Sequence, residues 1–402
     1  MTPNGLPERQ PPRLGIRWGF TSFTGWGIFG VNLARDLTRR GLASPVPIYS
    51  DGLLAAEVAA DPLLTPAFAA QREIAARLAT PDPLHLDFPV LHGLGNGLAE
   101  GPLSARVFGR PDVGMVFLED TRPGEIRARA ARYRMLLAGS SWNGALLRGF
   151  GVEHVAVCPQ GVDTQVFKLT PRRGTFGDRF VVFSGSKLEF RKAQDIVIAA
   201  FRMFRARHPE ALLLAAWSSP FPGVASDLAQ SPHRMGVPTA ADDPAAIGRW
   251  LEQNGLPPDS YALLPAVANE AIAPWLSEAD AAVFVSRAEG GTNLAAMEAL
   301  ASGVPTVLSN NTGHRDLISS VPCRPVGDQR SVVAGGLPIG TAGWGESDPE
   351  AVVEALEQIY RDREGAREMG RRAAAAMQSW SWSARIDGML SAMRAAGAWP
   401  AA

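Results

Sequence analysis

A chain of 402 residues exceeds what one hydrophobic core ordinarily serves, which predicts two domains of similar size. Its 39 lysines and arginines stand against 40 aspartates and glutamates, so no net field draws the molecule toward nucleic acid and any anion site must be local. The two cysteines, Cys158 and Cys323, lie far apart and outside any His/Cys cluster, which argues against a disulfide framework or a zinc site.

The opening "MTPNGLPERQPPR" has charge and proline where a secretory leader needs an apolar run, and no later run approaches twenty apolar residues. The expectation is a cytoplasmic protein whose residues 1–12 are disordered. From Leu14 onward short apolar runs alternate with amphipathic segments, the signature of parallel sheets covered by helices. Strands are expected at 14–20, 45–49, 88–92, 113–118, 135–139 and 154–158. The stretch "GWGIFG", Gly25–Gly30, has the glycine spacing of a dinucleotide fingerprint, with Asp51 about twenty residues on. However, "TSFT" separates Gly25 from the apparent strand end at Phe20, which sets a pyrophosphate too far from the sheet edge for NAD.

"GVDTQVFKLTPRRGTFGDR" is polar and broken by Pro171, Gly174 and Gly177, which marks a linker. The pattern then restarts, with a strand at 180–184, a helix at 193–207, and a strand–helix–strand unit through "DAAVFVS", "LAAMEALASG" and "VPTVLS". Residues 220–258 read as an irregular insertion carrying one helix, "PAAIGRWLEQNG". The tail is helical, and Trp380 and Trp382 mark where one helix stops and the next starts.

The densest chemistry lies in "SRAEGGTNLAAMEALASGVPTVLSNNTGH", Ser286–His314. A buried strand runs into Glu289, Gly290, Gly291, Thr292 and Asn293, and a helix starts near Leu294. Amides at a helix start lack partners and suit a phosphate. The two glycines would let a ligand approach the main chain. Glu298, an acid in an otherwise apolar helix, would accept a ribose hydroxyl pair, and Glu289 would hold sugar hydroxyls. In "SGSKLEFRKAQD", Lys187, Arg191 and Lys192 gather cations at a second helix start, with Glu189 partly neutralising them.

Together these pieces resemble the nucleotide-sugar-binding domain of the retaining glycosyltransferases of family four. The resemblance rests on "GVDTQVF", "SKLEFRKAQD", "LSEADAAVFVSRAEGG" and "NLAAMEALASGVPTV", and spans about 250 residues from "LLAGSSWN" to the tail; "VLHGLGN" and the glycine stretch match more weakly. It implies an α/β GT-B fold of two Rossmann-like domains facing a cleft. The implied division is an acceptor domain at 13–168, a linker at 169–178, a donor domain at 179–380, and a helix at 381–402 returning to the first domain.

The resemblance further implies a hexosyltransferase-type enzyme of class EC 2.4, in which Lys187 and Lys192 clamp the donor diphosphate and no metal or other cofactor is required. Gly25 and Gly27 would lie in a flexible loop that closes over the cleft. His92, at a strand's carboxyl end, is a catalytic candidate, and Glu119 is a weaker one. His314 is given no chemistry and is read as capping a turn. Two departures stand out. Eight residues rather than the family's seven separate Glu289 from Glu298, so either the loop bulges by one residue or Gly290 takes the first acid's place; and Lys187 replaces the clamp's usual arginine.

The partners implied are a UDP- or GDP-type sugar nucleotide and an acceptor that is a saccharide, a lipid-linked molecule or a small molecule, with peripheral membrane contact left open. The rival readings are a non-catalytic nucleotide-sugar-binding partner subunit and an NAD-dependent dehydrogenase.

Overall fold

The computed structural model describes residues 11–49, 56–101, 104–219, 225–233, 236–332, 336 and 339–401; the expectations for residues 1–10 and Asp51 lie outside them. The chain builds two six-stranded sheets, each parallel throughout. The first holds β1 (Arg13–Arg17), β2 (Ser44–Pro47), β3 (Val90–Leu94), β4 (Asp112–Val116), β5 (Met135–Ala138) and β6 (Val155–Val157) in the order β2-β1-β3-β4-β5-β6. The second holds β7 (Phe180–Ser186), β8 (Ala211–Trp217), β9 (Tyr261–Leu263), β10 (Ala281–Phe284), β11 (Thr306–Ser309) and β12 (Arg324–Val326) in the order β9-β8-β7-β10-β11-β12. Strands such as "FVVFSGS" and "AAVF" are nearly continuous apolar runs because helices cover both faces of a parallel sheet. In each sheet the strand order reverses once, beside β1 and β3 in the first and beside β7 and β10 in the second. A crevice opens at the carboxyl ends there, the place where open α/β sheets bind ligands.

Strand ends differ from expectation by up to three residues. The largest difference is at β1, which stops at Arg17 and leaves Trp18–Thr24 as a connector. The glycine stretch is a second departure: "GWGIFG" is not a flexible loop but the opening of a fifteen-residue helix, α1 (Gly25–Arg39). Thr24 caps it, its hydroxyl accepting the amide of Gly27 at 3.2 Å. The glycines serve close packing: a Cβ on Gly27 would stand 2.2 to 2.7 Å from Thr21, and one on Gly30 would meet the Trp18 and Phe20 rings at 2.7 to 2.8 Å.

The halves are sewn together at their ends. Helix α2 (Pro349–Arg361) and helix α3 (Arg363–Met377) cover the second sheet; after a short turn, Ser381 caps α4 (Trp382–Ala395). Trp380 packs in the second core, whereas Trp382, Ile386, Met389, Leu390 and Met393 pack in the first. The chain crosses between domains at Ser381, where Val162 donates to the carbonyl of Trp380 and accepts from the amide of Trp382. Trp382 stacks on Phe29 of α1 at 5.5 Å between ring centroids. Among the described residues no helix is long and apolar enough to cross a membrane.

Because Met393 is fully buried in the first core, Met393→Ala is expected to cost about 2–5 kcal/mol. Urea unfolding followed by tryptophan fluorescence reads this as a lower midpoint; an unchanged midpoint would show that α4 contributes nothing to that domain.

Candidate functional site

The carboxyl ends of β7 and β10 carry the two motifs that sequence singled out, and adjacency of those strands brings them together. After β10, Glu289 points its carboxylate at "FRK". Lys192 Nζ donates to both of its oxygens at 2.7 and 2.8 Å, Arg191 Nη1 to one at 3.1 Å, and Asn293 Nδ2 to the other at 3.1 Å. Glu289 is 4% exposed. Burial alone would raise its pKa, but Lys192 and then Arg191 outweigh it and hold the carboxyl down to about 2. Glu289 is therefore an anion at any physiological pH. The same burial pulls the ammonium of Lys192 below the usual lysine range, with Glu289 opposing it.

The loop after Glu289 turns at Asn293, which takes a positive φ of 65° at the amino end of the short helix Leu294–Ala301 and caps the amide of Ala296. Asn sits in that region more readily than most residues. Its side chain is fixed from both sides, donating to Glu289 and to Nε2 of His314. His314 in turn meets the Ser309 hydroxyl through Nδ1 at 3.0 Å, and that hydroxyl donates to the carbonyl of Ser286. Burial pushes His314 down to about 4, so the ring is neutral and can accept at Nε2. His314 thus orients Asn293, a task that sequence did not assign to it. Behind the loop, Arg287 makes a bidentate pair with Asp195 at 2.7 and 2.9 Å and stands 4.0 Å over the Phe190 ring, locking the end of β10 to the "FRK" turn.

Several expected donor contacts are redirected. Arg191 is 4% exposed and its guanidinium is spent on Glu119, Glu189, Glu289 and the carbonyl of Ala288, so it orients the knot rather than facing a ligand. Three carboxylates hold it more firmly protonated than usual despite the opposing effect of burial. Gly290 and Gly291 are buried against the first domain: a Cβ on Gly290 would lie 2.7 to 2.8 Å from the Phe117–Leu118 backbone, and one on Gly291 2.8 Å from the Phe117 ring. In this arrangement they let the two domains approach closely. Thr292 is fully buried, with its hydroxyl against Met297 Sδ. Gly27 is filled by Thr21, as described above. His92 has no exposed surface and its Nε2 meets Asp112, the first residue of β4, at 2.7 Å; since His92 itself pairs with Gly114, that bond turns the ring toward the amino end of the sheet, away from the crevice.

Four expected groups remain at the opening. Lys187 is 42% exposed beside Glu189 at 3.4 Å. Gly25 is exposed, a Cβ there would lie 3.8 Å from the Leu294 side chain, and Leu294 itself is partly exposed. Thus the amino end of α1 in the first domain faces that of Leu294–Ala301 in the second. Lys192, 12% exposed, lies behind them.

Glu298 is on that second helix but closed off: it is 5% exposed, and Asn269 donates to it at 2.6 Å while the Asn269 amide bonds the carbonyl of Ser22 across the cleft. Burial pushes Glu298 up to about 8, the Asn269 bond opposing. Asn269 carried no sequence signal. Further ties close the cleft, with Arg35 to Glu270 at 2.8 Å, Glu119 to Arg191 at 3.1 Å, and Ser140 Oγ donating to the carbonyl of Gly290 at 2.8 Å.

Residues 266–389, which contain the acidic loop, its helix and Asn269, match the family model described as "Family 4 Glycosyltransferase in conflict systems". Over that segment the chain is similar to the glycosyltransferases of family 4. Over 240 residues the chain is 27% identical to a D-inositol 3-phosphate glycosyltransferase of Paenarthrobacter aurescens, an alignment covering 58% of the chain; it spans about half the length of that relative, 50%. Its fold is GT-B: sucrose-phosphate synthase from Thermosynechococcus elongatus superposes with a TM-score of 0.66 at 17% identity, covering 96% of this chain and 99% of that one. Anabaena HepE in complex with UDP-glucose superposes at 0.61 and 15% identity, over 94% and 99% of the two chains.

Glu298 generates a sign-specific expectation. In the fold it keeps its proton up to about 8, whereas the unfolded chain releases it near the ordinary value of 4.5. Its contribution to stability is full below that ordinary value and is lost as pH rises through 8. Glu298→Gln removes this loss, so the variant should gain on the parent between pH 5 and pH 8 by at most roughly 4 kcal/mol. Urea titrations at both pH values test it; a stability difference independent of pH contradicts the placement.

Proposed function

We propose that this chain transfers a sugar from a nucleoside diphosphate sugar to an acceptor, with retention at the anomeric carbon and without a metal ion. The observation that carries the reading is the meeting of two helix amino ends, at Gly25 and Leu294, beside Lys187 and Lys192 where both sheets reverse. Free amides and nearby ammonium groups suit a diphosphate. As the bond from sugar to diphosphate breaks, negative charge grows on the leaving oxygen. Fixed amides and Lys192 then stabilise the transition state more than the ground state.

Ionised Glu289 keeps Lys192 in place and has lone pairs left for sugar hydroxyls. Glu298 takes the ribose once Asn269 withdraws, so donor entry requires the Ser22–Asn269 contact to part. UDP-sugars are the first choice of donor, since HepE was captured with UDP-glucose. The acceptor, a saccharide, lipid-linked molecule or small molecule, would enter from the first domain. A cytoplasmic setting fits a soluble sugar-nucleotide pool.

The second reading, a nucleotide-sugar-binding partner without activity, draws on the pairing of the clamp cations with Glu119, Glu189 and Glu289 and on the closure of Glu298. A panel of UDP- and GDP-sugars separates the two, because the enzyme releases nucleoside diphosphate catalytically and the binder does not. For the enzyme, Lys192→Ala should lower turnover about 10²–10³-fold, as loss of one preorganised anion stabiliser does. Unchanged turnover would remove Lys192 from the mechanism.

A further inference from the structure

A second opening lies on the opposite side of the second sheet, a cavity of about 420 Å³ at the amino ends of its strands. Phe180 begins β7, Asp280 precedes β10 and Pro305 precedes β11, and all three line it. It is therefore separated by the full depth of the sheet from the donor crevice at the carboxyl ends. Its wall carries four arginines, Arg172 from the linker and Arg363, Arg367 and Arg371 from α3, against one lining carboxylate, Asp280.

Asp280 pairs with Arg172 at 2.7 Å. From outside the lining, Glu364 and Glu368 brace Arg371 at 3.0 and 2.7 Å, and Glu364 stands 3.8 Å from Arg367. Arg363 meets no carboxylate in these pairs and lies instead over two rings, 4.6 Å from the Tyr360 centroid and 5.1 Å from that of Phe180. Each guanidinium has five N–H donors, so even the two carboxylates on Arg371, one at Nε and one at Nη2, leave donors for a ligand. The floor is apolar, formed by Leu276, Val304 and Ile359. The hydroxyl of Ser302, 8% exposed and in the lining, has no hydrogen-bond partner among the described residues, although buried hydroxyls are ordinarily satisfied.

We infer that this cavity is a second ligand site, for a phosphate monoester carried on an apolar body. Several guanidiniums around one opening favour a dianion over a carboxylate, and the apolar floor favours an ester over the bare ion. A soluble phosphate ester and a phosphomonoester lipid headgroup share this chemistry. Neither the donor clamp nor the crevice takes part, so the site stands or fails independently of the sugar-transfer reading.

The test uses the full chain and phenyl phosphate as probe, with calorimetric titration. Expected is saturable binding that persists in Lys192→Ala, falls at least tenfold in Arg367→Ala/Arg371→Ala, and is at least tenfold weaker for inorganic phosphate and for benzoate. Both arginines are exposed, and unchanged thermal melting checks that the fold survives. Thr170→Trp, at an exposed lining position, is the second variant and should block binding by occupying the mouth. In a parallel arm, vesicles of phosphatidylcholine with and without phosphatidic acid are sedimented with the protein. Recruitment by phosphatidic acid that the double variant loses identifies a lipid source, and phenyl phosphate binding without recruitment identifies a soluble one. Absence of saturable binding in both arms, binding that ignores the pocket substitutions, or equal affinity for inorganic phosphate and phenyl phosphate overturns the inference.

Discussion

The buried carboxylate of Glu289 organises the second domain's crevice. Ion pairs taken out of water gain stability only when geometry and extra hydrogen bonds repay desolvation, and this one has both, with an ammonium on both oxygens, a guanidinium and an amide. Removing Lys192 would leave part of the Glu289 charge uncompensated in the interior. The knot ties the end of β10 to the turn after β7, and it fixes Asn293 at the amino end of the acidic-motif helix. Arg191 extends the same knot to Glu119, so the first domain is electrostatically joined to the centre of the second.

That junction explains the glycine chemistry of the loop. Two domains that share a cleft must bring backbone against backbone, and Gly290 and Gly291 are the positions where Phe117 and Leu118 come within 3 Å of where a Cβ would be. The closed arrangement also covers Glu298 and places Asn269 between it and Ser22. On the proposed reading, binding of a nucleotide and separation of the domains would be coupled through a few polar contacts, each weak enough to exchange for a ligand's hydroxyls. The amino ends of the same sheet's strands have different chemistry, an arginine-lined cavity, so the two ends of one sheet would address different anions.

Much of the architecture was legible because parallel sheets write themselves as apolar runs. The succession of strands and the helix break between Trp380 and Trp382 follow from periodicity and punctuation, whereas the return of the last helix to the first domain was implied only by the family resemblance. Strand ends slipped where polar and apolar character did not coincide with pairing, as at Trp18–Phe20, which are buried without being in β1. The family resemblance implied a flexible loop at "GWGIFG", yet close packing on Thr21 and Phe20 holds these glycines in a helix despite their weak helix propensity. His92 was misjudged because a strand end does not reveal which way a ring turns. Within the candidate site, residue types were legible but partners were not. Nothing in the sequence tells that Arg191 is consumed by three glutamates, that His314 holds Asn293, or that Asn269, twenty-nine residues before Glu298, bonds to it.

The central claim is that the amino ends of α1 and of the Leu294–Ala301 helix, with Lys187 and Lys192, form one diphosphate cradle. A crystal structure of the protein with a UDP-sugar tests it most directly. The account predicts phosphate oxygens within hydrogen-bonding distance of the amides at Leu294 and Ala295 and of at least one of the two lysine ammonium groups, with the Glu298 carboxylate on the ribose. A diphosphate bound elsewhere, with that cradle filled only by water, would contradict it.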